Sequence, residues 1–176
     1  MKKKLNNYTK TLGSLILIIS VLQIYVHNAI SAEKQVAGWV ENVILFPGNI
    51  KIKAKLDTGA RNSSLNADQL EEFEREGATW VRFQLKNWRG QTASMEAKVV
   101  RITQIKQHGT QTAVRPVIRL GICLGNVYKE VEVNLEDREK FNYQLLIGRS
   151  YLRNSILVDA STSFKAKPNC LGVMPK

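Results

Sequence analysis

Ile50-Lys51-Ile52-Lys53-Ala54-Lys55-Leu56-Asp57-Thr58-Gly59-Ala60 is the stretch on which the reading of this chain turns. From residue 50 to 56, apolar residues alternate with lysines. That is the period of a strand with one face buried and one in water. The strand ends by handing a carboxylate, Asp57, into a tight loop. Gly59 lets the backbone pass close to that carboxylate, and the Thr58 hydroxyl and loop amides can hold it. Taken alone, Asp57 could equally be the first residue of an Asx turn.

Upstream, residues 36–45 are rich in strand formers and end at Phe46-Pro47-Gly48-Asn49, a turn signal that makes 36–56 a hairpin. Downstream, Leu70 and Phe73 stand among acids in 66–76 and Gly77 follows, which predicts a short surface helix. Strand patterns recur at 80–85, 93–105, 112–120, 121–124 and 127–135, with turns at 86–90, His108-Gly109 and Gly125-Asn126. Leu145-Leu146-Ile147-Gly148 reads as a short buried strand, 149–153 as a helical turn and 156–159 as a last strand. Many short strands with few helices predict a mostly β fold, a single-lobe closed barrel with one or two short helices. Trp39 and Trp80 are expected to anchor its core.

Asp57-Thr58-Gly59-Ala60 together with Leu146-Ile147-Gly148-Arg149 resembles the paired signatures of retropepsins, the single-lobe aspartic peptidases. The similarity extends through Gly38-Trp39-Val40-Glu41, Arg115-Pro116-Val117-Ile118 and residues 131–135 to a bacterial family often labelled an ATP-dependent zinc protease and regarded as retropepsin-like. Some members of that family accompany glutamate ligases. The resemblance implies the acid-protease barrel, with Asp57 catalytic, Thr58, Gly59 and Ala60 shaping its loop, and Ile147, Gly148 and Arg149 supporting it from beneath. It also implies a glycine-bearing hairpin that covers substrate, for which Trp88, Arg89 and Gly90 are the candidates unless theirs is an ordinary hairpin turn, and Arg115 is read either as a substrate contact or as a strand start before Pro116. In retroviral enzymes the Arg of the second signature pairs with an acid four positions after the catalytic Asp. Here that position is Arg61, so Arg149 needs another partner.

The zinc and ATP of the inherited label find no residues. Walker A and His-Glu-x-x-His patterns are absent, and His108 is the one histidine after residue 32. No cofactor and no metal is expected. Aspartic peptidases need two carboxylates sharing a proton, yet Asp68, Asp137 and Asp159 precede Gln, Arg and Ala, so this chain holds one Asp-Thr-Gly loop. A two-fold homodimer supplies the second. The alternative is a peptide-binding or envelope adaptor that keeps the fold without catalysis.

The 176 residues suit one domain, assigned to 36–164, with 165–176 as a loose tail. Residues 1–32 read as a signal peptide or signal anchor. Lys2, Lys3, Lys4 and Lys10 precede an apolar run that is short against the roughly 20 residues of a span, and Ala29, Ser31 and Ala32 follow. The domain is therefore expected in the periplasm or on the outer face of the inner membrane, cleaved free or tethered. The net charge of +11 favours anionic partners, which in that compartment are lipid head groups, envelope polymers or acidic peptides and not nucleic acid, or else marks only a solvated surface; the substrate expected is a peptide or protein, acidic if the charge serves binding. Cys123 and Cys170 could bridge there or remain two thiols.

Overall fold

The computed structural model describes residues 33–106, 112–136 and 142–170. Segments 1–32, 107–111, 137–141 and 171–176 lie outside them, and with these the expected signal, the His108-Gly109 turn, Asp137 and the end of the tail. Ten strands form one continuous series: β1 (Gln35–Phe46), β2 (Ile50–Leu56), β3 (Ser63–Asn66), β4 (Asp68–Arg75), β5 (Ala78–Lys86), β6 (Thr92–Lys106), β7 (Thr112–Leu124), β8 (Val127–Glu136), β9 (Leu145–Ile147) and β10 (Ile156–Ser163). A single helical turn, α1 (Arg149–Leu152), is the one helix among the described residues.

The strand order is β10-β1-β2-β9-β3-β8-β7-β6-β5-β4, and β1 also pairs with β7. Strands β1, β2, β9, β3, β8 and β7 thus close into a six-stranded barrel, as the sequence pattern predicts. Ile50, Ile52, Ala54 and Leu56 are buried, joining Val43, Leu45, Leu65, Ile118, Leu120, Val133, Leu135, Leu145 and Ile147 in the core. Lys51 and Lys55, their alternates on β2, are exposed. The two predicted strands at 112–120 and 121–124 are one strand, β7. At Gly121 an added Cβ would meet the Tyr128 hydroxyl, so glycine there is a packing requirement and not a break.

The predicted helix over 66–76 is instead β4, an edge strand. Arg75 pairs with Ala78 and Phe73 with Trp80, closing a hairpin on β5. Glu76 and Gly77 have φ of 53° and 69°, the positive angles of a type I′ hairpin turn, so Gly77 marks a reversal and not a helix stop. The three-residue spacing of Leu70 and Phe73 comes from the register shift between Asp68 and Glu71, where Gln69 has φ 52°. Glu71, Glu72 and Glu74 of β4 remain in water, as suits an unpaired edge.

The expected loose tail is fastened as far as it is described. Phe164 donates its amide to the Val40 carbonyl (2.8 Å), Asn169 to that of Gly125 (2.6 Å), and Cys170 is bridged to Cys123. Lys165 and Ala166 donate to Glu41 Oε1 at 2.9 and 3.1 Å, and Gly38 to the same oxygen at 2.6 Å. Glu41 is fully buried. All three hydrogen bonds fall on Oε1, while Oε2 is buried with no hydrogen-bond partner among the described residues, and a buried polar group costs free energy wherever it is not bonded. Because the bridge closes a long loop, replacing both cysteines by serine is expected to lower stability by about 2–4 kcal/mol in denaturant unfolding, with residues 164–170 losing amide-exchange protection.

Candidate active site

Strand β2 continues one hydrogen bond beyond its end: the Asp57 amide donates to the Ile147 carbonyl at 2.8 Å. This extends the parallel pairing in which Lys55 faces Leu146 and Leu56 faces Ile147. The carboxylate that follows is half-buried, while Thr58 and Gly59 are exposed. Asp57 Oδ1 accepts the amides of Gly59 (2.9 Å) and Ala60 (3.2 Å). Both hydrogen bonds fall on one oxygen, which leaves the other open to a reacting group.

The β9–α1 junction crosses beneath this loop. Arg149 and Ser150 donate their amides to the carbonyls of Ala60 and Arg61, both at 2.9 Å. Gly148 donates to Ser63 Oγ at 3.2 Å. A Cβ on Gly148 would sit 2.5 Å from the Asn62 carbonyl oxygen and 2.9 Å from the Arg61 carbonyl carbon, so only glycine permits this approach. The Arg149 guanidinium finds its partner in the loop's own backbone, its Nη1 donating to the carbonyls of Thr58 (2.8 Å) and Gly59 (2.7 Å). Thr58, Gly59, Ala60, Ile147, Gly148 and Arg149 are therefore gathered around Asp57.

The remaining predicted site residues are not. In the Asn87–Gly90 turn, Asn87 donates to the Lys51 carbonyl at 3.1 Å, and the Lys53 ammonium lies 5.3 Å from the Trp88 ring centre. Lys51 precedes Asp57 by roughly 20 Å of strand at about 3.3 Å per residue. Trp88, Arg89 and Gly90 thus belong to a turn tied to β2 at Lys51 and Lys53. Their turn is fixed by Asn87, whose Oδ1 accepts the amides of Arg89 and Gln91. Arg115, on β7, is ion-paired with Glu136 and mostly buried. Of the two tryptophans, Trp39 is 40% exposed and packs edge-on against Tyr143, with ring centres 5.9 Å apart. Trp80 is half-buried beneath the Arg75 guanidinium.

Two supporting residues were missed in the sequence. Ser63, fully buried, carries the hydroxyl under Gly148, and nothing in Ser-Ser-Leu-Asn distinguishes it. Glu41 could have been noticed as an acid in a run of buried β1 positions. At the end of α1, the Lys129 ammonium donates to the carbonyls of Tyr151 (2.7 Å) and Arg153 (3.0 Å), capping the turn that follows Arg149. Burial lowers the pKa of this lysine and pushes that of Tyr151 far up. No group of three or more His, Cys, Asp or Glu side chains suited to a metal occurs among the described residues, and none of their helices is long and apolar enough to cross a membrane.

Comparison with known proteins gives this geometry a family. Residues 36–169 match the family described as "Retropepsin-like aspartic endopeptidase RimB". A Shewanella pealeana protein named "Probable alpha-L-glutamate ligase" is 41% identical over 124 residues, covering 69% of this chain and 26% of that one. A Parasynechococcus marenigrum protein of the same name is 33% identical over 64% of this chain and 25% of its own length. The chain thus spans about a quarter of these relatives. A crystal structure of a Legionella pneumophila protein of unknown function is 34% identical, with a TM-score of 0.66, covering 77% of this chain and all of that one. With its Asp-Thr-Gly loop and supporting Gly-Arg crossing on a six-stranded barrel, the chain belongs to the RimB-like family of retropepsin-like proteins.

Proposed function

We propose that this protein is an aspartic endopeptidase or peptide-trimming hydrolase of the cell envelope, working as a homodimer in which two Asp57 carboxylates meet at the two-fold axis. The observation that carries this reading is the state of Asp57 itself. Its Oδ1 is held by two amides, Oδ2 is free of any hydrogen bond among the described residues, and the loop is exposed enough to meet a twin.

Two such groups about 3 Å apart cannot both ionise, so the pair shares a proton. The ionised member takes a proton from a water molecule as that water's oxygen attacks the scissile carbonyl carbon. The protonated member gives its proton to the carbonyl oxygen, forming a neutral gem-diol. Collapse of that intermediate breaks the C–N bond. The leaving amine takes the proton held by the first carboxyl, and the gem-diol hydroxyl returns its proton to the second. The Arg149 hydrogen bonds to the Thr58 and Gly59 carbonyls hold the loop in place throughout, so little reorganisation is needed.

Acidic peptides suit the exposed lysines of β2. Lys51 and Lys55, on the strand that ends at Asp57, have no acid partner among the described residues, while Lys53 between them is half-buried against the Trp88 and Phe164 rings. The exposed pair attracts an anionic chain and directs it toward the carboxylates. Export of the domain by its N-terminal segment belongs to the same proposal. The ligase name of the relatives applies to longer chains, of which this one matches about a quarter, and no ligase activity is carried over from it.

Asp57→Asn keeps the loop's shape and removes the shared proton. Hydrolysis of a mixed peptide library is expected to fall by about 10³-fold or more, and retained turnover in this variant would sink the proposal. Lys55→Gln is expected to lower kcat/KM for acidic peptides by about three- to tenfold and to leave neutral peptides nearly unchanged, a difference that shrinks as ionic strength rises and screens the lysines.

A further inference from the structure

We propose that Lys129 is a positioning residue for the Asp57 loop: from β8 it grips the end of α1, and α1 passes that restraint to the loop. The effect on hydrolysis rests on the peptidase reading above, whereas the restraint itself stands on hydrogen bonds alone.

A helical turn of four residues cannot hold its own shape, because too few internal bonds repay the cost of nucleating it. In α1 these are the amides of Tyr151 and Leu152 to the Gly148 carbonyl (3.1 and 3.2 Å) and of Arg153 to that of Arg149 (3.0 Å). Both ends are completed from elsewhere. The first two amides, of Arg149 and Ser150, are taken by the carbonyls of Ala60 and Arg61. At the other end the chain leaves the helix at Arg153 (φ −52°, ψ 134°) and turns through Asn154, whose φ is 67°. The Ser155 amide reaches back to the Leu152 carbonyl at 3.2 Å. The carbonyls of Tyr151 and Arg153 go to the Lys129 ammonium, at 2.7 and 3.0 Å. A cation at this end also complements the negative pole of the turn.

Lys129 stands on a firm base. It pairs with Ile122 across the β7–β8 ladder, and the next pair is Cys123 with Tyr128. The disulfide to Cys170 thus fastens this hairpin beside the lysine. The fully buried Tyr151 gives α1 a second attachment to the hairpin. Its hydroxyl donates to the Val127 carbonyl at 2.8 Å, and its ring centre lies 5.4 Å from the ammonium. Burial lowers the pKa of Lys129, so its charge is held here against the cost of losing water.

Ala60 turns this grip into geometry at the carboxylate. Its carbonyl is held by the Arg149 amide, and its own amide holds Asp57 Oδ1. The Arg149 guanidinium adds the carbonyls of Thr58 and Gly59. Each bond from α1 to the loop depends on where the turn sits, and Lys129 and Tyr151 fix that from behind. A displacement of about 1 Å at a reacting group can cost about 100-fold in rate. A lysine that touches no substrate therefore acts on kcat and not on KM.

The experiment uses the full chain as wild type, Lys129→Met, Lys129→Arg and, as a control for the loss of an exposed lysine, Lys98→Met. It reads kcat and KM on the peptide that wild type cleaves fastest in a mixed library, together with amide hydrogen exchange. In Lys129→Met, kcat is expected to fall about 10- to 100-fold with KM within about twofold. Amides of 58–61 and 149–152 should exchange faster, while those of β2 and β8 keep wild-type protection. Lys129→Arg, whose guanidinium can donate to the same two carbonyls, should restore most of kcat, and Lys98→Met should match wild type. If Lys129→Met does not fold, Lys129→Gln, which keeps one donor group, is read on the same terms. Wild-type kcat with wild-type exchange in both segments of Lys129→Met overturns the proposal. So does a loss of protection spread through the whole barrel that Lys129→Arg fails to repair, since that marks a lysine needed only for folding. If wild type hydrolyses nothing, the peptidase reading falls and exchange alone judges the restraint: faster exchange at 58–61 in Lys129→Met upholds it, and unchanged exchange there overturns it.

Discussion

The arrangement of this molecule depends on one close approach: the Gly148 backbone lying against the backbone of residues 61 and 62. Because no Cβ intervenes, β9 can run under the loop in parallel pairing with β2, and Arg149 emerges at the point where its guanidinium reaches the carbonyls of Thr58 and Gly59. In a loop whose amides are turned inward to a carboxylate, the carbonyls must point outward. An exposed cation is the natural group to gather them. Asp57 and Arg149 thus restrain the same loop from opposite ends of its peptide dipoles, without touching each other.

In retroviral enzymes the corresponding arginine pairs with an acid, a partner this chain lacks at that position. With Arg61 at that position, a side chain to side chain ion pair is replaced by hydrogen bonds to the main chain. Such bonds do not depend on the identity of the loop residues, so Arg61 is released to face solvent.

Where the period of the pattern was unambiguous, the sequence was a good guide. The alternation of β2, the buried Leu145-Leu146-Ile147 run and the Asp57 loop were all legible, because each is stated by its own residues. What was not legible depended on distant ones. β3 is buried on both faces between β8 and β9, yet Ser63-Ser64-Leu65-Asn66 has neither apolar run nor alternation. β4 looked helical because a bulge placed its two large apolar residues three apart. The Asn87–Gly90 turn had the composition of a covering hairpin, but its position is set by a hydrogen bond to Lys51 that no local pattern announces. The tail looked loose because its partners, Glu41, Val40, Gly125 and Cys123, lie scattered through the earlier chain.

Those tail contacts bear on how the chain comes to be folded in time. β1 borders the barrel on three sides, paired with β2, β7 and β10, and Gln35 meets Ile156 in its ladder. Glu41 Oε1 lacks two of its three amide donors until Lys165 and Ala166 arrive. A strand near the start of the described domain is thus completed by a segment near its end, and such long-range pairing is slow to form. The sheet therefore cannot close until the segment from β10 to Cys170 is present, and the Cys123–Cys170 bridge fastens that same closure.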